Sequence, residues 1–187
     1  YNHFGIDLRA LARAVVTNIV NYGKGRRPVG ASTITQQVTK NFLLTNEVSI
    51  DRKIKEAILS LRMERAFSKD QILALYLNEI YLGRGSYGVA AAALNYFDKS
   101  LGQLELPEIA YLAALPKAPN NYHPVRNLRA ATIRRNWVLD EMQQNGYITQ
   151  NETDEAKAAP LRMIEQSGFD AAEAPYFTEE VRRQLIS

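Results

Sequence analysis

Three ionic residues stand close together in the run Arg-Lys-Ile-Lys-Glu at 52–56. Arg52 and Glu56 are four apart and Lys53 and Glu56 three apart, so on a helix all three share one side. Spacing alone fits intrahelical ion pairs worth about 0.2–0.5 kcal/mol each. The residue types also fit a clamp for a diphosphate, with Arg as a planar fork and Lys as a point charge. A carboxylate beside such a clamp could orient a hydroxyl, hold a divalent cation or act as a base. A second group lies upstream, in Gly-Ala-Ser-Thr-Ile-Thr-Gln-Gln at 30–37. Gly30 followed by a capping Ser32 predicts a helix start, whose free N–H groups can bind an anion. Thr33, Gln36, Gln37 and Lys40 follow at spacings of three, four and seven and share one face. Solvated faces are usually mixtures of Glu and Lys. This face carries neutral hydrogen-bonding groups and one cation, which suits sugar hydroxyls and phosphate.

The elements that must position these groups are helical. Leu8, Leu11, Ala12, Val15 and Ile19 fall on one face of a first helix, with Asp7 as N-cap and Gly23 as stop. A basic loop follows at 23–28. A second helix is expected from Ser32, with Ile34, Val38 and Phe42 as its apolar edge. A third runs from about Ile50 to Phe67, with Ile54, Ala57, Ile58 and Leu61 inward. Ser68 and Gln71 form a capping box for a fourth, whose run from Ile72 to Leu82 reads as buried on several sides. Asn78 within that run is expected to be buried and to hydrogen-bond structurally; Glu79 and Arg84 read as surface. Shorter helices are expected at Val89–Phe97 and from Pro107 to Leu115. After a proline-rich stretch, a long helix runs from Leu128 to Gly146, and Thr149 and Glu152 cap another. Leu161 to Ile164 reads as a brief strand, and Thr178 as the cap of a last helix.

Composition narrows the chemistry. The 187 residues include no cysteine and only two histidines, His3 and His123. That excludes disulfides, thiolate zinc, a cysteine nucleophile and a histidine-rich metal site. Both histidines read as structural or loop residues. A net charge of +3 permits an anionic partner without requiring one. No apolar run approaches the roughly 20 residues of a membrane span. Walker loops, nucleophile elbows and nucleic-acid motifs are absent, so no nucleic-acid partner is expected.

In order, these segments resemble the family 51 peptidoglycan glycosyltransferases, the glycosyltransferase domain of class A penicillin-binding proteins. Tyr-Asn-His-Phe-Gly-Ile-Asp at 1–7 resembles the tail of the family's first motif, with His3 and Gly5 in place. Residues 30–37 match the second motif, and Arg52, Lys53 and Glu56 the third. Residues 72–83 resemble the fourth, and 92–97 the fifth. The runs at 115–124 and 175–185 resemble bifunctional members of the Gram-negative 1A type, in which a transpeptidase follows.

The resemblance implies a mainly α, lysozyme-like fold with a larger helical lobe and a smaller membrane-facing one. Residues 1–125 would form the glycosyltransferase core, and 126–187 its C-terminal helical part leading to a linker. The implied substrates are lipid II and the growing glycan chain. The implied reaction is inverting, making β-1,4 bonds and releasing undecaprenyl diphosphate. Glu56 is implied as an essential carboxylate. Lys40, Arg52 and Lys53 are implied for the diphosphate, and Ser32, Thr33, Gln36 and Gln37 for the substrate groove. His3, Gly5, Gly30 and Asn78 would be structural motif residues. A divalent cation, Mg or Mn, is expected through the substrate diphosphate, with no metal site in the protein itself. The implied location is the periplasmic face of the inner membrane, with anchoring by a helix upstream of Tyr1. Expected partners include a moenomycin-type inhibitor and other cell-wall synthesis proteins. The family's general-base Glu falls before Tyr1, so this stretch alone is expected to polymerise poorly. Val48 stands where relatives often carry Arg, so one phosphate contact is expected to be missing or to be supplied by Arg26 or Arg27. Two alternatives compete: a lysozyme-like hydrolase (lytic transglycosylase), which would leave the cationic group idle, and a non-enzymatic helical binding module.

Overall fold

The computed structural model describes residues 3–25, 29–43, 49–124 and 126–164. It is mainly α, with no strand among those residues. The helices are α1 (Leu8–Val20), α2 (Ile34–Leu43), α3 (Ile50–Ala66), α4 (Lys69–Glu79), α5 (Val89–Phe97), α6 (Leu106–Ala114), α7 (Leu128–Gln144) and α8 (Gln150–Ala158). Short 3-10 turns follow α5 and α6, at Leu101–Gln103 and Leu115–Lys117. Asp7, Ser68 and Thr149 cap α1, α4 and α8 as expected, and the Ser68–Gln71 and Thr149–Glu152 boxes are both closed. Expectations about Arg26, Arg27, Val48 and the helix after Thr178 lie outside the described residues, as does the Phe42 side chain.

The core is apolar and is built mainly from α4 onward. Ile72, Leu82, Ala92, Tyr96, Tyr111 and Leu115 are completely buried, and Val38 of α2 joins their cluster. The Tyr96 and Tyr111 rings meet edge-on at 5.6 Å. Each phenol finds a backbone carbonyl: Tyr96 donates to Leu82 and Tyr111 to Tyr122, both at 2.8 Å. Burial pushes the Tyr96 hydroxyl up to about 12 and raises that of Tyr111, so both stay donors. A second cluster joins Ala110 and Ala114 of α6 to Val138 and Leu139 of α7 and Ala156 of α8. It spans both sides of residue 125.

Three expectations need correction. Asn78 is exposed, and its amide makes no hydrogen bond among the described residues. Its backbone is what matters. Gly88, at φ +80°, packs so closely that a Cβ there would stand 2.3 Å from the Asn78 carbonyl oxygen. The stretch Leu161–Ile164 is extended but forms no strand; Ile164 donates one N–H to Tyr96. The third correction concerns α3. Its apolar stripe faces outward: Ile54, Ile58 and Leu61 are 54%, 48% and 40% exposed. The apolar face of α1 is exposed as well, with Leu8, Leu11, Val15 and Ile19 all open, and α1 packs on no other helix among the described residues. No helix among the described residues is long and apolar enough to cross a membrane.

Candidate functional site

The face of α3 that turns inward is polar. Glu56, Ser60 and Glu64 recur every four residues and so form a single stripe. Opposite them α2 presents Thr35 and Thr39, also four apart and buried. The two stripes interlock. Thr35 Oγ1 donates to Glu64 at 2.5 Å, Thr39 and Ser60 share a hydroxyl bond of 3.1 Å, and Ser60 donates to the Glu56 carbonyl at 2.7 Å. Apolar burial on α3 loses here because buried polar groups with matched partners fix one register.

Glu56 sits at the open end of this stripe, 1% exposed. Arg52 donates to one carboxylate oxygen at 3.1 Å, and Lys53 to the other. Lys53 also reaches Ser32 at 2.9 Å, which joins α3 to the segment before α2. The structure therefore brings Ser32, Arg52, Lys53 and Glu56 together. Arg52 Nε is buried without a partner among the described residues, so the guanidinium retains a donor to spend. Half of the Lys53 side chain is exposed.

The second motif behaves differently from its sequence reading. The cap of α2 is Thr33, not Ser32. Gln36 Oε1 accepts from the Thr33 N–H at 3.0 Å, and Thr33 Oγ1 accepts from the Gln36 N–H at 3.2 Å. This is a closed capping box. Thr33 Oγ1 donates in turn to the Gly5 carbonyl at 2.6 Å. Thr33 is thus a buried structural residue, and only the amide nitrogen of Gln36 is left for a ligand. Gln37 is half-buried. Lys40 is exposed in the last turn of α2, with no ion pair among the described residues, and the structure does not bring it to Glu56. Gly30 is exposed, and a Cβ there would meet nothing.

Gly5 has a clear reason to be glycine. Its φ is +79°, and a Cβ would lie 2.9 Å from the Ser60 carbonyl oxygen. The loop 3–7 is thereby pressed onto α3. His3, half-buried, offers its carbonyl to Lys69 at 2.6 Å.

A cavity of about 330 Å³ opens between these parts. Asp7, Ser32, Gln36 and Lys53 line it beside the apolar Ile6, Leu8, Leu11 and Ala57, and most of its surface is apolar. Asp7 is committed to α1. The Ala10 N–H at 2.9 Å holds its carboxyl below the ordinary aspartate range, which makes it a weaker base. A neighbouring cavity of about 830 Å³ is lined by Phe4, Leu8 and Leu61 among others. His3, Asp7 and Arg9 line it too, so Leu61 of the outward α3 stripe and Leu8 of α1 meet there beside polar groups.

No group of three or more acidic or histidine side chains among the described residues is placed to hold a metal. Glu56 already serves two cations. These residues make no metal cage.

The transglycosylase family model matches residues 1–143 of the chain. The chain belongs to the transglycosylase family. It is 52% identical over 186 residues to penicillin-binding protein 1A of Rickettsia felis, covering all of this chain and 24% of that protein. Against the protein of the same name from Pseudomonas aeruginosa the identity is 42%, over 99% of this chain and 22% of that one. A crystal structure of penicillin-binding protein 1A from Haemophilus influenzae superposes with a TM-score of 0.51 at 38% identity, covering 86% of this chain and 21% of that one. The chain thus spans about a quarter of the length of the curated relatives it matches. The expected mainly α architecture agrees with that neighbour.

Sequence reasoning missed Thr35, Thr39, Ser60, Glu64 and Lys69, and read Asp7 only as the cap of the first helix. The signal for the zipper was present as Glu56–Ser60–Glu64 at spacing four, matched by Thr35–Thr39.

Proposed function

We propose that this chain is the glycan-polymerising domain of a peptidoglycan glycosyltransferase, acting on lipid II and the growing glycan chain. The observation that carries this reading is the buried Glu56 carboxylate held between Arg52 and Lys53, with Lys53 also lining the adjoining cavity. A lipid-borne diphosphate sugar has the matching halves. Its sugar and diphosphate suit the polar groups, and its hydrocarbon suits the exposed apolar faces of α1 and α3.

In the proposed reaction the 4-hydroxyl oxygen of one sugar forms a bond to the anomeric carbon of another. The bond from that carbon to the diphosphate oxygen breaks, and its electron pair leaves with undecaprenyl diphosphate. Attack from the face opposite the leaving group inverts the centre and gives a β-1,4 link. Negative charge grows on the leaving diphosphate, where the spare Arg52 donor and the half-open Lys53 ammonium would stabilise it. Glu56 holds both cations in place and offsets their mutual repulsion. The hydroxyl proton must go to a general base, and Asp7, spent on the α1 cap, is a poor choice. A divalent cation would have to be brought and held by the substrate's own diphosphate. Lys40, exposed and with no ion pair among the described residues, is proposed to reach the diphosphate from the end of α2. The bare apolar surface supports docking at the periplasmic face of the inner membrane, and a moenomycin-type phosphoglycolipid would fill the same cleft.

The test gives the full-length protein labelled lipid II with Mg2+, beside Glu56→Gln, and resolves the products by size. A ladder of long glycan that is lost in Glu56→Gln is expected. Release of soluble muropeptides from purified sacculi, without polymer from lipid II, would instead establish a hydrolase. Lipid binding without any turnover would leave a binding module.

A further inference from the structure

Behind the cleft lies a second ionic group that the proposed chemistry does not use. Glu64 is on α3 two turns beyond Glu56, its side chain 5% exposed. It accepts from Thr35 of α2 at 2.5 Å and from Lys69 at the start of α4 at 2.6 Å. Lys69 also donates to the His3 carbonyl at 2.6 Å. One carboxylate thus ties together three helices and, through Lys69, the loop 3–7.

That loop is a wall of the cleft. Ile6 and Asp7 line it together with Ser32, Gln36 and Lys53. Among the loop's fastenings to the body are Lys69 on His3, Thr33 on Gly5, and the close approach of Gly5 to Ser60. Glu64 stands behind all three. It orients Lys69, its Cγ would lie 3.2 Å from a Cβ at Gly5, and it holds Thr35 two residues from Thr33. Charge-assisted bonds to a nearly buried carboxylate are about twice as strong as neutral ones. Burial raises the Glu64 carboxyl, but the bonds from Lys69 and Thr35 outweigh it and hold the group ionised below the ordinary glutamate range.

We propose that Glu64, acting through Lys69 and Thr35, is a positioning residue for glycosyl transfer that fixes loop 3–7 against α2 and α3 and so sets the width of the cleft. The role rests on the glycosyltransferase reading above. Glu64 touches no reacting atom. A bound sugar diphosphate contacts the wall that Glu64 steadies, and a wall misplaced by about 1 Å can cost about 100-fold in rate.

The experiment compares Glu64→Gln, Lys69→Met, Thr35→Val and Thr35→Ser in the full-length protein. Glycan synthesis from lipid II gives kcat and KM. Amide hydrogen exchange is read separately over residues 3–7 and over the second turn onward of α7, whose Val138 and Leu139 lie in the second packing cluster. Glu64→Gln and Lys69→Met are each expected to lower kcat about tenfold or more, with KM within about twofold. The pair combined should cost little more than either alone, because the residues act as one unit. Exchange over 3–7 should quicken while α7 stays protected. Thr35→Ser, which keeps the hydroxyl, should retain most of the activity that Thr35→Val loses. Unchanged exchange over 3–7 would overturn the anchor whatever the activity. Faster exchange with wild-type kcat would overturn the role in transfer. Equal loosening of α7 would reduce Glu64 to a general stabiliser. If the wild type itself made no polymer, the reaction reading would fall and this role with it, while the exchange data would still report on the anchor.

Discussion

The two halves of this molecule are held together by different forces. From α4 to α8 the helices meet through hydrocarbon and aromatic rings, with Ile72, Leu82, Tyr111, Leu115 and Leu139 sealed from water. Between α2 and α3 the buried groups are Thr35, Thr39, Glu56 and Ser60. Apolar packing tolerates small shifts, because dispersion and burial vary smoothly with distance and carry no direction. A hydroxyl bonded to a carboxylate has one correct geometry, and losing it leaves a buried polar group unpaired. The polar interface therefore contributes less to stability than its area would suggest, but it fixes register. Register is what a cleft built from Ser32, Lys53 and Glu56 on two elements requires.

This contrast can be broken by mutation. The largest stability loss should come from the apolar half. Leu139→Ala is expected to cost about 2–5 kcal/mol by denaturant unfolding, while turnover below the transition stays at the wild-type level. Arg135 is the polar exception in that half, 1% exposed, donating to the Lys157 and Ala159 carbonyls at 2.9 and 2.8 Å. Burial lowers its basicity, but the carbonyl end of α8 favours the cation. Arg135→Met should cost about 1–3 kcal/mol, again with normal turnover. A stabilised variant would show that desolvation outweighs these bonds and the one from Nε to the Asn136 side chain at 2.9 Å. In the polar half, Thr39→Val keeps the volume and leaves Ser60 bonded to the Glu56 carbonyl. It should cost about 1–2 kcal/mol yet reduce turnover several-fold. If its turnover were normal, register would not be the zipper's job.

Acid sharpens the same comparison. The folded-state affinity of Glu64 for its proton is lowered, despite burial, by Lys69 and Thr35. Its stabilising contribution is therefore complete above the ordinary glutamate value and is lost as pH falls through the lower folded one. The stability gap between wild type and Glu64→Gln should narrow on acidification through that window. Other carboxylates with lowered values, Asp7 and Glu152, are common to both proteins and cancel in the difference. A gap independent of pH would mean that Glu64 is no better paired than in the unfolded chain.

Much of the architecture is legible in the sequence because caps and breakers act locally. Ser68 with Gln71, Thr149 with Glu152 and the span of α3 need only their own neighbours. The inward face of α3 is not legible from one helix. An apolar stripe at 54, 57, 58 and 61 and a polar stripe at 56, 60 and 64 are both present, and hydrophobic periodicity favours the first. The polar stripe goes inward because α2 offers Thr35 and Thr39, a fact carried by another segment. Ser32 and Thr33 are both good caps; the partner three residues on decides, and Gln36 chooses Thr33. Arg52, Lys53 and Glu56 were found because their chemistry and their proximity lie in one turn. Glu64 was missed because its partners, Thr35, Lys69 and through it His3, come from three separate segments.

The smallest expected change in stability gives the cleanest matched pair. Thr33 and Thr149 both close capping boxes, one in each half. Replacing either by Ala removes the side-chain acceptor for one free N–H of the first turn and should cost about 1 kcal/mol of stability. In α8 that is the whole effect, since Thr149 reaches no other segment through its hydroxyl. Thr149→Ala should leave turnover unchanged. In α2 the same hydroxyl also donates to Gly5, so Thr33→Ala frees one fastening of loop 3–7. Its turnover should fall about tenfold, with a midpoint of unfolding close to that of Thr149→Ala. Equal turnover in the two variants would mean that the cap alone matters and that the polar half does not hold the cleft.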